Sequence, residues 1–254
     1  MFHLAAFYSS LAQNAAYAQV AGVADGALTR NSSNNYIAPT NLTILAAHAQ
    51  GVTTSRCQIQ APSLRQIAYP EIYPIVQSIR TAIPDNAGYR IYKERGPRLL
   101  QNESFGVYAS ENNTGASPTN AALWIADRFQ PARPGPCITL VATTTITLVD
   151  TAWALGTLTF ETQLAAGEYE VIGASMIMDN SNYFRLVYPG GTNWRPGAPV
   201  FDVYGDKDWL DSFRVGNFGS WGTFVFNNPP QVEVFGAAAG ATAGTLLLDV
   251  VKIG

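Results

Sequence analysis

The side chains able to do chemistry in this sequence are few and scattered. His3 lies in a stretch, residues 1 to 24, without Asp, Glu, Lys or Arg, and His48 lies within Ala46-Ala47-His48-Ala49. Neither has a carboxylate or second metal ligand beside it in the chain, so both read as structural rather than as bases or ligands. Glu168 and Glu170 alternate with Tyr169 and Val171, which puts both carboxylates on one strand face, where they could flank a glycosidic bond. A solvated or interface-facing strand is the better reading. Asp202, Asp206, Asp208 and Asp211 are the nearest approach to a hard-cation site, but their spacing is not that of an EF-hand loop and Lys207 and Arg214 offset part of the charge. Ordinary loop charges are therefore favoured over calcium. Gly190-Gly191-Thr192-Asn193 lacks the Lys-Ser/Thr that completes a phosphate cradle, and no nucleophile elbow or His-Glu-x-x-His pair occurs. No catalytic residue, metal ligand or cofactor is assigned, and an enzyme is not expected. Cys57 and Cys137 have no C-x-x-C spacing and read as two separate buried thiols.

Charge and aromatic content speak to partners. Charged residues make up 13 % of 254, against about 25 % in an ordinary domain, and the net charge is −3. Phosphate neutralisation needs a basic excess, so specific nucleic-acid binding is not expected and the partners are other proteins. The one cationic concentration is Arg90, Lys93, Arg95 and Arg98, tempered by Glu94; salt bridges between subunits and solubility are its favoured roles. Trp194, Trp209 and Trp221, with Tyr183, Tyr188 and Tyr204, suit core and subunit contacts, and also stacking on sugar rings.

The elements that must carry these residues follow from periodicity. Leu4, Phe7, Leu11, Ala15 and Ala18 recur at helical spacing, interrupted by Ser9, Ser10, Gln13, Asn14 and Gln19. This predicts an N-terminal amphipathic helix that lies on an apolar surface without crossing a bilayer, and residues 1–30 form that helix and a linker. Thereafter the period is two: Ile146 and Leu148 alternate with threonines, Tyr169 and Val171 with glutamates, and Val232 and Val234 with Gln231 and Glu233. Three prolines between Gln130 and Pro136 deny helix and central strand alike, so a linker at 131–137 separates 31–130 from 138–254.

The halves share a pattern. Phe105–Tyr108 returns as Ala122–Ile125, and Val232–Phe235 returns as Leu246–Val250. Cys57–Ile59 leads through Leu64 to Glu71–Tyr73, as Leu158–Phe160 leads through Leu164 to Tyr169–Ile172. The longer interval in the second half implies an insertion near 179–213. The small-residue stretch Gly236–Gly244 reads as a loop packed flat on a neighbour. The expected fold is all-β: two tandem jelly-roll β-sandwiches with a short N-terminal helix.

This outline resembles the double jelly-roll major capsid proteins of tailless icosahedral bacteriophages, many of which enclose a lipid membrane. The resemblance covers essentially the whole chain and rests on pattern, with no signature motif. It implies a structural coat subunit forming homotrimers of pseudo-hexameric outline, located in the virion and assembled in the host cytoplasm. Implied partners are further copies of the chain, minor capsid proteins and an internal membrane near the N-terminal helix. Under it, Leu4, Phe7, Leu11, Trp194, Trp209 and Trp221 are interface candidates. Arg90, Lys93, Arg95 and Arg98 become candidates for an inner face meeting anionic lipid or genome. The alternative is a carbohydrate-binding β-sandwich, lectin-like or a phage receptor-binding module, using the aromatics of 183–221. A weaker third reading is a glycan-cleaving jelly roll using Glu168 and Glu170.

Overall fold

The computed structural model describes residues 1–14, 16–51, 54–65, 69–72, 75–76, 89–112, 115–190, 193–201 and 212–254. Regular structure among them is strand, apart from 3-10 turns at Pro62–Leu64, Lys93–Arg95 and 212–213. The chain divides into an N-terminal unit, Leu4–Phe129, and a C-terminal unit made of Met1–His3 with Gln130–Gly254.

The N-terminal unit is built from β1 (His3–Leu11), β2 (Ala18–Gly22), β3 (Tyr36–Ile37), β4 (Leu42–Gly51), β5 (Thr54–Gln60), β6 (Glu71–Ile72), β7 (Ile75–Val76), β8 (Tyr89–Ile91), β9 (Arg98–Leu99), β10 (Ser104–Glu111) and β11 (Ser117–Ala126). Its neighbours run β6-β5-β10-β2-β1-β11-β4-β7, with β3 on β10 and both β8 and β9 on β4. The C-terminal unit contains β12 (Cys137–Leu148), β13 (Trp153–Gly156), β14 (Thr159–Phe160), β15 (Glu168–Met178), β16 (Ser181–Val187), β17 (Gly197–Phe201), β18 (Gly222–Val225), β19 (Gln231–Gly236) and β20 (Gly240–Lys252). Here the order is β13-β19-β16-β17-β15-β20-β12-β14, with β18 on β15.

Two runs of neighbours recur in these orders, joined through β2 and β1 in the first and through β17 and β15 in the second. The set β2, β10, β5, β6 is matched by β13, β19, β16, β17, and the set β1, β11, β4 by β12, β20, β15. A finer feature also repeats. β7 lies parallel to the end of β4, at Gln50↔Ile75 and Gly51↔Val76, and β17 lies parallel to the end of β15, at Met176↔Val200 and Ile177↔Phe201. Each unit is a curled sheet whose order is compatible with a jelly roll, in which consecutive strands leave one sheet for the other.

Several expectations need correction. The N-terminal helix is replaced by β1, which pairs with β2 at Phe7↔Gly22. Leu4, Ala5, Ala6 and Phe7 are all fully buried. A strand covered on both faces reads as a continuous apolar run, and such a run contains helical spacings by accident. Residues 1–30 are thus no separate segment. The strands that close each half are not hairpins: β10 pairs with β2, β3 and β5 while β11 pairs with β4, and β19 pairs with β13 and β16 while β20 pairs with β12 and β15. Alternation reports which face is buried, not which strand lies alongside. The second correspondence fails too, because Cys57–Ile59 lies on β5, the counterpart of β16, whereas Thr159–Phe160 is β14, an addition beside β12. Within the segment expected as an insertion, β16 and β17 are ladder members, and residues 202–211 lie outside the described residues. Gly240–Gly244 is strand, opposite Leu148 back to Thr144.

Each core has an aromatic centre. In the N-terminal unit the Tyr36 hydroxyl lies 2.8 Å from the Ala6 carbonyl oxygen and 2.6 Å from that of Val23, and Phe7 meets the Tyr36 ring edge-on at 5.1 Å. In the C-terminal unit Phe2 stands edge-on to Phe218 at 5.0 Å and to Trp221 at 5.2 Å, and Phe213 packs on both.

Candidate functional site

The polar groups with the most constrained geometry are in the C-terminal unit. Asp249 is the single charge in the apolar run Leu246–Val251, opposite Thr139 on β12 and Gly173 on β15. A Cβ on Gly173 would lie 2.7 Å from the Phe213 carbonyl oxygen and 2.8 Å from Arg214 Cα. The missing side chain lets residues 213–215 rest directly on the sheet, and this brings Arg214 onto Asp249. Arg214 Nε donates to Oδ2 at 2.5 Å and Nη2 to Oδ1 at 2.6 Å, while Thr139 Oγ1 and the Val215 N–H donate at 2.7 and 2.9 Å. Burial alone would raise the Asp249 pKa, but hydrogen bonds from Arg214, Thr139 and Val215, with the Arg214 charge, outweigh it and hold the carboxyl below its ordinary value.

A second network joins β13, β16 and β19. Arg185, 1 % exposed, donates from Nε to Glu233 Oε2 at 2.6 Å, and Arg195 Nη1 reaches both Glu233 oxygens at 2.7 and 2.8 Å. The Arg185 guanidinium lies 3.9 Å from the centre of the Trp153 ring, a cation–π contact that suits a cation withdrawn from water. The N-terminal unit carries a looser analogue. There Tyr17 donates to Glu71 at 2.7 Å, Arg56 pairs with Glu71 at 3.1 Å, and the Arg56 guanidinium lies 5.5 Å from the Tyr17 ring centre. Burial, then the hydrogen bond to Glu71, raises the Tyr17 pKa. In all three clusters guanidinium groups neutralise the carboxylate, which makes them struts between strands. Sequence reasoning passed over Arg185, Arg195 and Glu233, and did not connect Arg214 with Asp249. A lone charge inside an apolar strand was the available signal, because a buried charge requires a partner.

The side chains singled out from sequence do not converge. His3 is buried, accepts the Arg195 N–H at Nδ1 (3.1 Å) and meets Trp194 edge-on at 5.9 Å. His48 is buried on β4, and burial lowers its pKa to about 4. Glu168 is exposed, whereas Glu170 is buried and accepts the Arg133 N–H at 3.1 Å, so the two carboxylates occupy different environments. Cys57 is buried, and burial pushes its thiol up to about 12. Cys137 is exposed, contrary to expectation, because β12 begins well before its buried part at Ala142. Of the interface candidates, Leu4, Phe7 and Trp221 have no exposed surface and Leu11 little. Trp194 is half-buried; Arg90, Arg95 and Arg98 are exposed and Lys93 half-buried. Tyr183 and Tyr188 are buried and unable to stack on a sugar. Asp202, Asp206, Asp208 and Asp211, with Tyr204, Lys207 and Trp209, lie outside the described residues. Among the described residues no three His, Cys, Asp or Glu side chains gather as a metal site.

No family model matches the chain, and no curated protein does. Among solved structures, the crystal structure of the major capsid protein P2 from Bacteriophage PM2 is similar over 100 % of this chain and 98 % of that one, at 8 % identity and a TM-score of 0.23. So loose a match carries no argument about fold or function.

Proposed function

We propose that this chain is a viral major capsid protein whose role is structural rather than catalytic. The supporting observation is that the same two strand runs occur twice in one polypeptide, each unit also laying a strand parallel to the end of β4 or of β15. Two like units per subunit allow three subunits to present six similar units around a threefold axis, and such a capsomer tiles where sixfold packing is needed. Each unit is a jelly roll under this reading. The chain forms homotrimeric, pseudo-hexameric capsomers that close into an icosahedral virion shell, assembled in the host cytoplasm with minor capsid proteins. The sparse charge supports the same reading, since repeated contacts then bury few ions. Contact with an internal membrane would need another vehicle than an N-terminal helix, and Arg90, Arg95 and Arg98 are exposed cations that lie close together in the chain.

Sedimentation analysis and negative-stain microscopy of the purified chain test this. The expected result is a species of threefold mass with hexagonal outline, or closed shells. A monodisperse monomer that forms neither at high protein concentration would overturn it.

A further inference from the structure

One cleft in the C-terminal unit has no part in the networks above. Its volume is about 520 Å3, and six threonines line it: Thr143, Thr144, Thr145, Thr157, Thr159 and Thr245. The ladder places them together. Thr143 on β12 faces Thr159 on β14 and Thr245 on β20, and Thr245 faces Ile177 on β15, so one row crosses four strands. Thr143, Thr145, Thr157, Thr159 and Ile177 are exposed. Thr144 is 5 % exposed and turned to the opposite face of β12, toward Gly156 and Ile146, so its hydroxyl is not among those the cleft offers.

The lining dictates the ligand. Each hydroxyl offers one donor and two acceptor positions, while the threonine methyls, Ile177 and Met178 add apolar surface. Asp179 is the sole charged group among the described lining residues. With no cation present, phosphate, nucleic acid and anionic lipid find no counter-charge. One carboxylate is too few for calcium. What remains is a neutral molecule that alternates hydroxyls with C–H faces, and the volume falls in the range of small-molecule sites, about 300–1,000 Å3. We infer that the threonine cleft binds a neutral saccharide of one or two sugar units. No aromatic ring lines it, so stacking is lacking and the affinity is weak, with Kd on the order of 1–10 mM. This inference stands apart from the capsid reading, because neither requires the other.

The test is a titration of the full chain, labelled at threonine methyls, with glucose, galactose, mannose, N-acetylglucosamine, maltose and lactose to about 50 mM, well above the expected Kd. At least one sugar should shift the Thr143, Thr159 and Thr245 methyl signals. Thr143→Val and Thr245→Val should each weaken binding about fivefold, the effect of one lost hydrogen bond, while Thr143→Ser retains it. Glucuronate should bind more weakly than glucose, and Asp179→Asn should remove the difference. If none of the six sugars moves these signals, or if both valine variants bind as the parent does, the inference is wrong. Tighter binding of glucuronate than glucose would refute the charge argument that selects a neutral ligand.

Discussion

Replacing Asp249 by Asn tests whether the Arg214 contact holds the C-terminal unit together. The substitution preserves size but leaves the Arg214 guanidinium without its counter-ion, and two of the four hydrogen bonds on the carboxylate come from that guanidinium. Removing one partner of a buried ion pair costs about 3–5 kcal/mol. Arg214 keeps 18 % of its side chain exposed while Asp249 keeps none, so water recovers part of the loss and about 2–4 kcal/mol is expected. The pH dependence has a definite sign. The folded carboxyl titrates below its ordinary value, so its stabilisation is complete above about pH 4 and disappears as pH falls through the lower folded value. Urea unfolding of parent and variant at neutral pH and again near pH 3 measures both effects. The variant should be much less stable at neutral pH and lose less between the two conditions. A difference under about 1 kcal/mol at neutral pH, or identical pH profiles, would refute the assignment of this pair as a principal strut.

Phe2→Ala removes the ring that meets Phe218 and Trp221 edge-on and should destabilise the C-terminal unit by about 3 kcal/mol, read by thermal unfolding of the full chain. A helical, surface-lying N-terminus would predict almost no change. Gly173→Ala drives a methyl to 2.7 Å from the Phe213 carbonyl oxygen, so a loss of about 2 kcal/mol is expected; Gly244→Ala meets the movable methyl ends of Met178 and Met176 at 2.7 and 2.9 Å, with Met178 Cβ at 3.0 Å and no backbone atom among its nearest contacts, and should cost less in the same assay. A thiol reagent at pH 8 should modify Cys137 quickly and Cys57 only after unfolding, since burial raises both thiols but leaves only Cys137 exposed. Two fast thiols in the folded chain would contradict the burial of Cys57.

Much of the C-terminal unit was legible in sequence. On β12 and β19 one face is core and the other is not, so Ile146, Leu148, Val232 and Val234 announce themselves by alternation. The start of β1 hides because both its faces are covered, and a covered strand has no polar beat to count. Pairing was illegible for a different reason. β10 and β11 are adjacent in sequence yet are separated by β2 and β1 in the ladder order, and that choice depends on partners tens of residues away. Charged struts were missed because attention went to groups of acids rather than to solitary ones such as Asp249, while the threonine row needs four strands in register before it becomes one surface.

Because Met1–His3 belong with Gln130–Gly254, the chain makes one piece of its C-terminal unit before any of the N-terminal unit. During synthesis at about 10 residues per second, Phe2 leaves the ribosome some 20 s before its aromatic neighbours Phe218 and Trp221 exist. Leu4–Phe129 can mature in that interval, while apolar Phe2 still waits for its ring partners. Nascent chains are therefore most prone to stick to one another between those two moments, and a chaperone shielding that leading segment would act on this protein earlier than on one whose halves are each contiguous.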